Sequence, residues 1–177
     1  MKSRVFDLAK KIKLLVLDVD GVLTDGGLYY NLNGQVLKRF DVQDGMGIKI
    51  AQRVGLKIAV ISGLRSEVVK ARLDELGVLD YFPGYNHKLP KLKELKEKNV
   101  LQWSEIAYLG DDWVDAAPLK QVGLPMAVAN AVPEIKKLAL WVSSKKGGHG
   151  AVREAIMFIL TAQNKLDAVW KEWVSLD

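Results

Sequence analysis

The sequence predicts an α/β fold in which helices cover both faces of a central parallel sheet. Three observations predict it. Apolar runs recur at 13–18, 57–62, 105–112 and 125–129, each short enough for a buried strand. The segments between them carry apolar residues at helical spacing, and strands alternating with helices give parallel sheets. The 177 residues show no repeat and no low-complexity tract, which suits one domain with a sizeable core.

The elements follow in order. "MKSRVFDLAKKIK" reads as a short amphipathic helix leading into the strand "KLLVLD" (13–18). "GLYYNLNGQVLKRFDV" (27–42) alternates about Asn33-Gly34, the turn pair of a two-residue hairpin loop. "DGMGIKIAQRVG" (44–55) places Ile48, Ala51 and Val54 on one helical face, with Gly55 as its stop. "KIAVIS" (57–62) is the second strand, and "RSEVVKARLDELG" (65–77) a helix closed by Gly77. "YFPGYNHK" (81–88) reads as a loop, and "LPKLKELKEKN" (89–99) as a helix with Pro90 in its first turn. The strand "EIAYLGDD" (105–112), a short helix (115–123), the strand "PMAVA" (125–129) and the helix "VPEIKKLA" (132–139) complete the alternation. "SSKKGGHGAVRE" (143–154) reads either as a flexible linker to the next helix or as a basic segment offering Lys146, His149 or Arg153 to an anionic substrate across a subunit boundary. A single last helix spans 151–173, and removing residues after Gly147 is expected to change ligand handling without melting the fold.

Composition excludes several functions. Without cysteine there is no disulfide, thiolate metal site or cysteine nucleophile, in keeping with a reducing compartment such as the cytoplasm. The N-terminus has no apolar signal region, and no apolar run approaches the ~18 residues of a membrane span. The net charge of +5 comes from dispersed lysines, and the run at 88–99 alternates with Leu and Glu as a solvated helix face. Charge therefore gives no reason to expect nucleic acid or membrane partners, while it suits an anionic small substrate.

In parallel sheets ligands bind beyond the carboxyl ends of the strands. Those ends carry Asp18 with Asp20, Ser62 with Gly63, and Asp111 with Asp112. If the first and third strands are neighbours, Asp18 and Asp111 converge, and oxygen ligands at that density suit Mg²⁺. Strand alternation turns Val19 to the core and sets Asp18 and Asp20 on one face. Asp20 can then offer its carbonyl to the metal while its carboxyl moves protons. Asp18 is a candidate nucleophile on phosphorus. The Ser62 hydroxyl, the amides from Gly63 onward and the Lys88 ammonium can neutralise phosphoryl oxygens. Each residue has a plainer reading: aspartates in turns, a Ser-Gly turn, a solvated lysine, and an Asp112 N-cap with Asp115 in the following turn. Their joint placement at successive strand ends favours the catalytic reading. Thr24 and Asp25 read as turn-shaping residues.

These residues make the chain resemble the haloacid dehalogenase-like phosphatases. The resemblance rests on "LLVLDVDGVLTD", Ser62 in "AVISG", Lys88 in "YNHK" and "YLGDDWVD", four motifs in order. Over nearly the whole chain, through "DGVLTDGGLYY", "FDVQDGMGI" and "GGHGAVREAI", it resembles the capless subclass that acts on an eight-carbon 2-keto-3-deoxy sugar acid 8-phosphate of lipopolysaccharide inner-core biosynthesis. The resemblance implies a Rossmann-like three-layer sandwich with a hairpin insertion (27–43) and no separate cap. It implies Mg²⁺ held by Asp18, the Asp20 carbonyl and Asp111, with Asp18, Asp20, Ser62 and Lys88 catalytic through an aspartyl-phosphate. It also implies sugar contacts from the 41–47 loop (Asp41, Val42, Gln43, Asp44, Gly45, Met46 and Gly47) and from Asp20, Gly63, Lys88 and arginines after the second strand. Arg72 matches one arginine; the other position holds Leu64, with Arg65 beside it. His149 stands where arginine is frequent. Spacing leaves no room for an internal lid, and the relatives close the site by forming homotetramers in which hairpins pair and a tail (146–177) covers a neighbour. Tyr29, Tyr30, Leu32 and Val36 would give such a hairpin an apolar surface, with folding onto its own domain as the alternative. A nine-carbon 9-phosphate stays open as substrate; from another class, so do a receiver-like domain and an inactive binding domain.

Overall fold

A computed structural model describes residues 2–175; the side chains of residues 2, 3, 35 and 36 lie outside the described set, and with them the expected contribution of Val36. The chain runs α1 (Lys2–Ala9), β1 (Leu14–Leu17), β2 (Tyr29–Asn31), β3 (Gly34–Leu37), α2 (Val42–Arg53), β4 (Lys57–Ser62), α3 (Glu67–Glu75) and β5 (Asp80–Pro83). It continues with α4 (Lys88–Lys98), β6 (Ile106–Gly110), α5 (Ala116–Gln121), β7 (Leu124–Ala127), α6 (Pro133–Leu138), β8 (Trp141–Val142), α7 (Ala151–Ala162) and α8 (Leu166–Val174).

Six strands form one sheet in the order β5-β4-β1-β6-β7-β8, and all its pairings are parallel. β1 lies at the centre with all four residues buried, the signature of a strand covered on both faces. The strand order reverses between its neighbours β4 and β6, so their carboxyl ends frame a switch-point crevice. β2 and β3 make a separate antiparallel hairpin, and an isolated bridge between Thr24 and Phe40 closes its base.

Several expectations need correction. Residues 81–83, read as the start of a loop, belong to the edge strand β5, a position where Pro83 is tolerated. β8 was not foreseen, being two residues long. α2 starts at Val42, so the 41–47 segment is an N-cap and first turns of helix rather than a loop. The last helix is two: Asn164 adopts a left-handed φ of 55°, which ends α7 and redirects the chain into α8. "SSKKGGHG" is no flexible linker, because Gly147 and Gly148 are buried against residues 21–25. α7 buries Ala151, Val152, Ala155, Ile156, Ile159 and Leu160 in the core, so the tail is not dispensable for folding.

The hairpin does not fold onto its own domain. Leu28, Tyr29, Tyr30, Leu32 and Leu37 are all about half exposed or more.

Candidate active site

β1 ends at Leu17, and a tight turn over 19–23 carries the chain away from the sheet. Asp18 and Asp20 both keep extended backbone, Asp18 buried and Asp20 with 29% of its side chain exposed. Gly21, at φ 84°, makes the turn possible. A Cβ on Gly21 would stand 2.1 Å from Oδ2 of Asp111, so the missing side chain also admits that carboxylate. Thr24 shapes the turn as expected: its hydroxyl donates to the Val19 carbonyl and accepts from the Gly21 and Gly26 amides.

The centre is a buried network. Lys88, at the start of α4, places Nζ 2.6 Å from Oδ1 of Asp18 and 2.7 Å from Oδ1 of Asp115. The buried Tyr108 hydroxyl donates to the same Asp115 oxygen at 2.7 Å, and the Asp111 amide donates to the other at 3.0 Å. Asp115 is thus saturated by the fold, and Lys88 is the reverse of a solvated lysine. Asp112 caps the turn after β6 by accepting from the Trp113 amide at 2.7 Å.

Asp111 is the exception. Its Oδ1 is buried without a hydrogen-bond partner among the described residues. Carboxylate oxygens of Asp18, Asp111 and Asp115 lie within 4.8 Å of one another. Burial raises Asp18 to about 7, Asp115 adds repulsion, and Lys88 works against both. Burial raises Asp111 to about 8, with further repulsion from Asp18 and Asp115. Burial opposes the Lys88 charge, but Asp18 and Asp115 outweigh it and raise its pKa. An orphaned carboxylate oxygen beside a second carboxylate fits a hard divalent cation, with Asp18 and Asp111 as the available side-chain ligands.

The remaining expected residues surround this centre unevenly. Ser62 is buried at the end of β4, its hydroxyl accepting from the Leu64 amide at 3.3 Å. Gly63 lies against Asn86, whose Oδ1 would be 2.8 Å from a Cβ there. Asp20 meets Lys38, which emerges from the hairpin with its side chain buried. Asp41 caps α2, accepting from the Gln43 amide at 2.7 Å and the Asp44 amide at 3.3 Å. Asp44 is buried and accepts from the amides of Gly150 and Arg153 at 3.2 and 2.7 Å, which locks α2 to α7. Burial raises Asp44 to about 6 despite those amides. A Cβ on Gly45 would be 2.4 Å from Nη2 of Arg72, and one on Gly47 3.0 Å from Cδ of Arg153. Val42 and Met46 face outward, as does Arg65, which lies over Gly84. Leu64 is half exposed. Lys146 and His149 are exposed and Arg153 half-buried.

Sequence reading missed Lys38, Asn130 and the pairing role of Asp115. Asn130 donates to the Gly21 carbonyl and accepts from the Gly147 amide at 2.7 Å, joining the 19–23 turn to the tail. The four-residue spacing of Asp111 and Asp115 was a usable signal; Lys38 and Asn130 offered none, as their contacts lie 18 and 109 positions away.

Sheet order, switch point and acid-lysine network define a class. Residues 55–156 match the haloacid dehalogenase-like hydrolases, and the chain belongs to that family. It is 41% identical to the 3-deoxy-D-manno-octulosonate 8-phosphate phosphatase of Salmonella typhi, over 94% of this chain and 89% of the relative. The corresponding Moraxella catarrhalis enzyme, solved with magnesium, phosphate and a KDO molecule, superposes with a TM-score of 0.94 at 36% identity, over 98% of this chain and 99% of that one. A cobalt-bound Haemophilus influenzae relative gives a TM-score of 0.87 at 39% identity, over 89% of this chain and 92% of that one. No described helix is long and apolar enough to cross a membrane.

Proposed function

We propose that the chain hydrolyses 3-deoxy-D-manno-octulosonate 8-phosphate to the free sugar acid and phosphate, in the cytoplasm, as a step of lipopolysaccharide inner-core synthesis. One observation carries the chemistry: Asp18 is held on Lys88 beside an Asp111 oxygen with no partner among the described residues. The identity to phosphatases of this substrate across nearly the whole chain supports the specificity.

Asp18, Asp111 and the Asp20 carbonyl would hold Mg²⁺. When bound, the ion offsets the carboxylates' repulsion and the charge of the phosphate. The free oxygen of Asp18 attacks phosphorus while the bond to the sugar oxygen breaks. Asp20 gives that oxygen its proton, so the sugar alcohol leaves and an aspartyl-phosphate remains. Asp20 then takes a proton from water, which attacks phosphorus, releases inorganic phosphate and regenerates Asp18. Lys88 orients Asp18, and Lys38 orients Asp20. The Ser62 hydroxyl and the amides following Gly63 hold the phosphoryl oxygens. The first turns of α2 (41–47), with Arg65 and Arg72, flank the sugar acid; Asp44 acts there by anchoring α2 to the tail. The exposed hairpin side chains pair between copies in a homotetramer, and the C-terminal segment covers a neighbouring site.

The test is steady-state kinetics with Mg²⁺ on the eight-carbon 8-phosphate, a nine-carbon 9-phosphate and p-nitrophenyl phosphate. The expected result is the highest kcat/KM for the eight-carbon compound. A preference for the nine-carbon compound, or none over p-nitrophenyl phosphate, overturns the assignment.

A further inference from the structure

Lys38 and Arg39 follow β3 directly and reach opposite targets. Lys38 binds the Asp20 carboxylate in the catalytic turn. Arg39 donates from Nη1 to the Gly148 carbonyl, and the same nitrogen is 3.5 Å from Nε2 of His149. The His149 ring has a defined polarity. Its Nδ1 lies 2.8 Å from the Gly147 carbonyl, which can only accept, so Nδ1 carries a proton. In the neutral ring, Nε2 then presents its lone pair to Arg39.

The segment that Arg39 grips is itself pressed on the catalytic turn. The Gly148 amide donates to the Val22 carbonyl at 3.0 Å. A Cβ on Gly147 would stand 1.7 Å from the Gly21 carbonyl oxygen, and one on Gly148 2.4 Å from the Asp25 amide. The catalytic turn and the glycine pair therefore meet backbone to backbone, and the hairpin exit reaches them through the Arg39 side chain. This exit and the Thr24–Phe40 bridge tie the hairpin to the rest, while Leu28, Tyr29, Tyr30, Leu32 and Leu37 stay exposed.

From this convergence we infer that Arg39 is a positioning residue: it fastens the hairpin exit to the Gly147–Gly150 turn, and so holds that turn on the backbone that carries Asp20. Lys38 and Arg39 act as a two-residue clamp, one arm on the proton-transferring carboxylate and the other on the turn behind it. The catalytic consequence rests on the function proposed above; the mechanical tie does not.

Two readouts separate them. Amide hydrogen exchange of Arg39→Gln is expected to rise about tenfold over 147–150 and over 21–25, with protection in β1 and β6 unchanged. Arg39→Lys, which keeps one donor for the Gly148 carbonyl, is expected to restore part of the protection. Kinetics of Arg39→Gln on the sugar-acid phosphate should show kcat lowered roughly tenfold with a smaller change in KM, again partly rescued by lysine. Unchanged exchange over 147–150 overturns the tie. Raised exchange with unchanged kcat overturns the positioning role. A wild-type protein inactive on that phosphate counts against the proposed substrate alone, because the exchange comparison still decides the tie.

Discussion

Lys88 and Asp18 form a buried ion pair with a 2.6 Å contact, and Lys88 makes a second pair of almost equal length to Asp115. One ammonium thus stands between a carboxylate just past β1 and one in the turn between β6 and α5. Removing one partner of a buried charge network costs about 3–5 kcal/mol, because the remaining charges lose their compensation. Lys88→Met should lower the thermal midpoint strongly and abolish turnover. Lys88→Met with full stability would show that the pair contributes nothing to the fold.

Gly21 makes a separable prediction. Gly21→Ala adds a methyl where 2.1 Å separates its position from Oδ2 of Asp111, and strains a φ of 84° by about 1–2 kcal/mol. Asp111 must swing aside. Titration calorimetry should show Mg²⁺ affinity reduced about tenfold or more, with the fold retained. Unchanged affinity would remove Asp111 from the metal site.

Protonation gives a third. Asp18 and Asp111 are raised to about 7 and about 8, against an ordinary 3.8. Between those values the folded, metal-free protein binds more protons than the unfolded chain. Its stability therefore falls as pH rises from about 4 toward about 8, and Asp44, raised to about 6, acts in the same direction. Glu105 and Glu154 are lowered instead, so their contribution changes only below the ordinary glutamate range. The chelated protein should melt at a lower temperature near pH 8 than near pH 5, with Mg²⁺ restoring the loss. A chelated protein whose melting temperature is flat or rising across that range would contradict the burial of these acids.

The tail supplies a fourth. Truncation after Gly147 removes Val152, Ile156, Ile159 and Leu160 from the core. Losses of several buried aliphatic side chains exceed ordinary domain stability. The truncated chain should show no cooperative unfolding by circular dichroism. A cooperative transition would mean that α7 is peripheral.

Much of this was legible because the signals were local. Apolar runs located the strands that position Asp18, Ser62 and Asp111, and Asn33-Gly34 located the hairpin turn. What was hidden depended on chain reversal or distant contacts. The break at Asn164 lies inside an apolar pattern that continues through Leu166 and Val169, so periodicity alone could not reveal it. Lys38 has the bland sequence context of a hairpin end, and only the fold brings it to Asp20.

The central claim is that Asp18 carries the phosphoryl group. Acid quench of the enzyme during turnover of substrate bearing a radioactive phosphate tests it most directly. The expected result is acid-stable, hydroxylamine-labile label on the peptide containing Asp18, absent from Asp18→Asn, whose kcat falls at least roughly 10³-fold. Label on another residue, or near-normal turnover by Asp18→Asn, would contradict it.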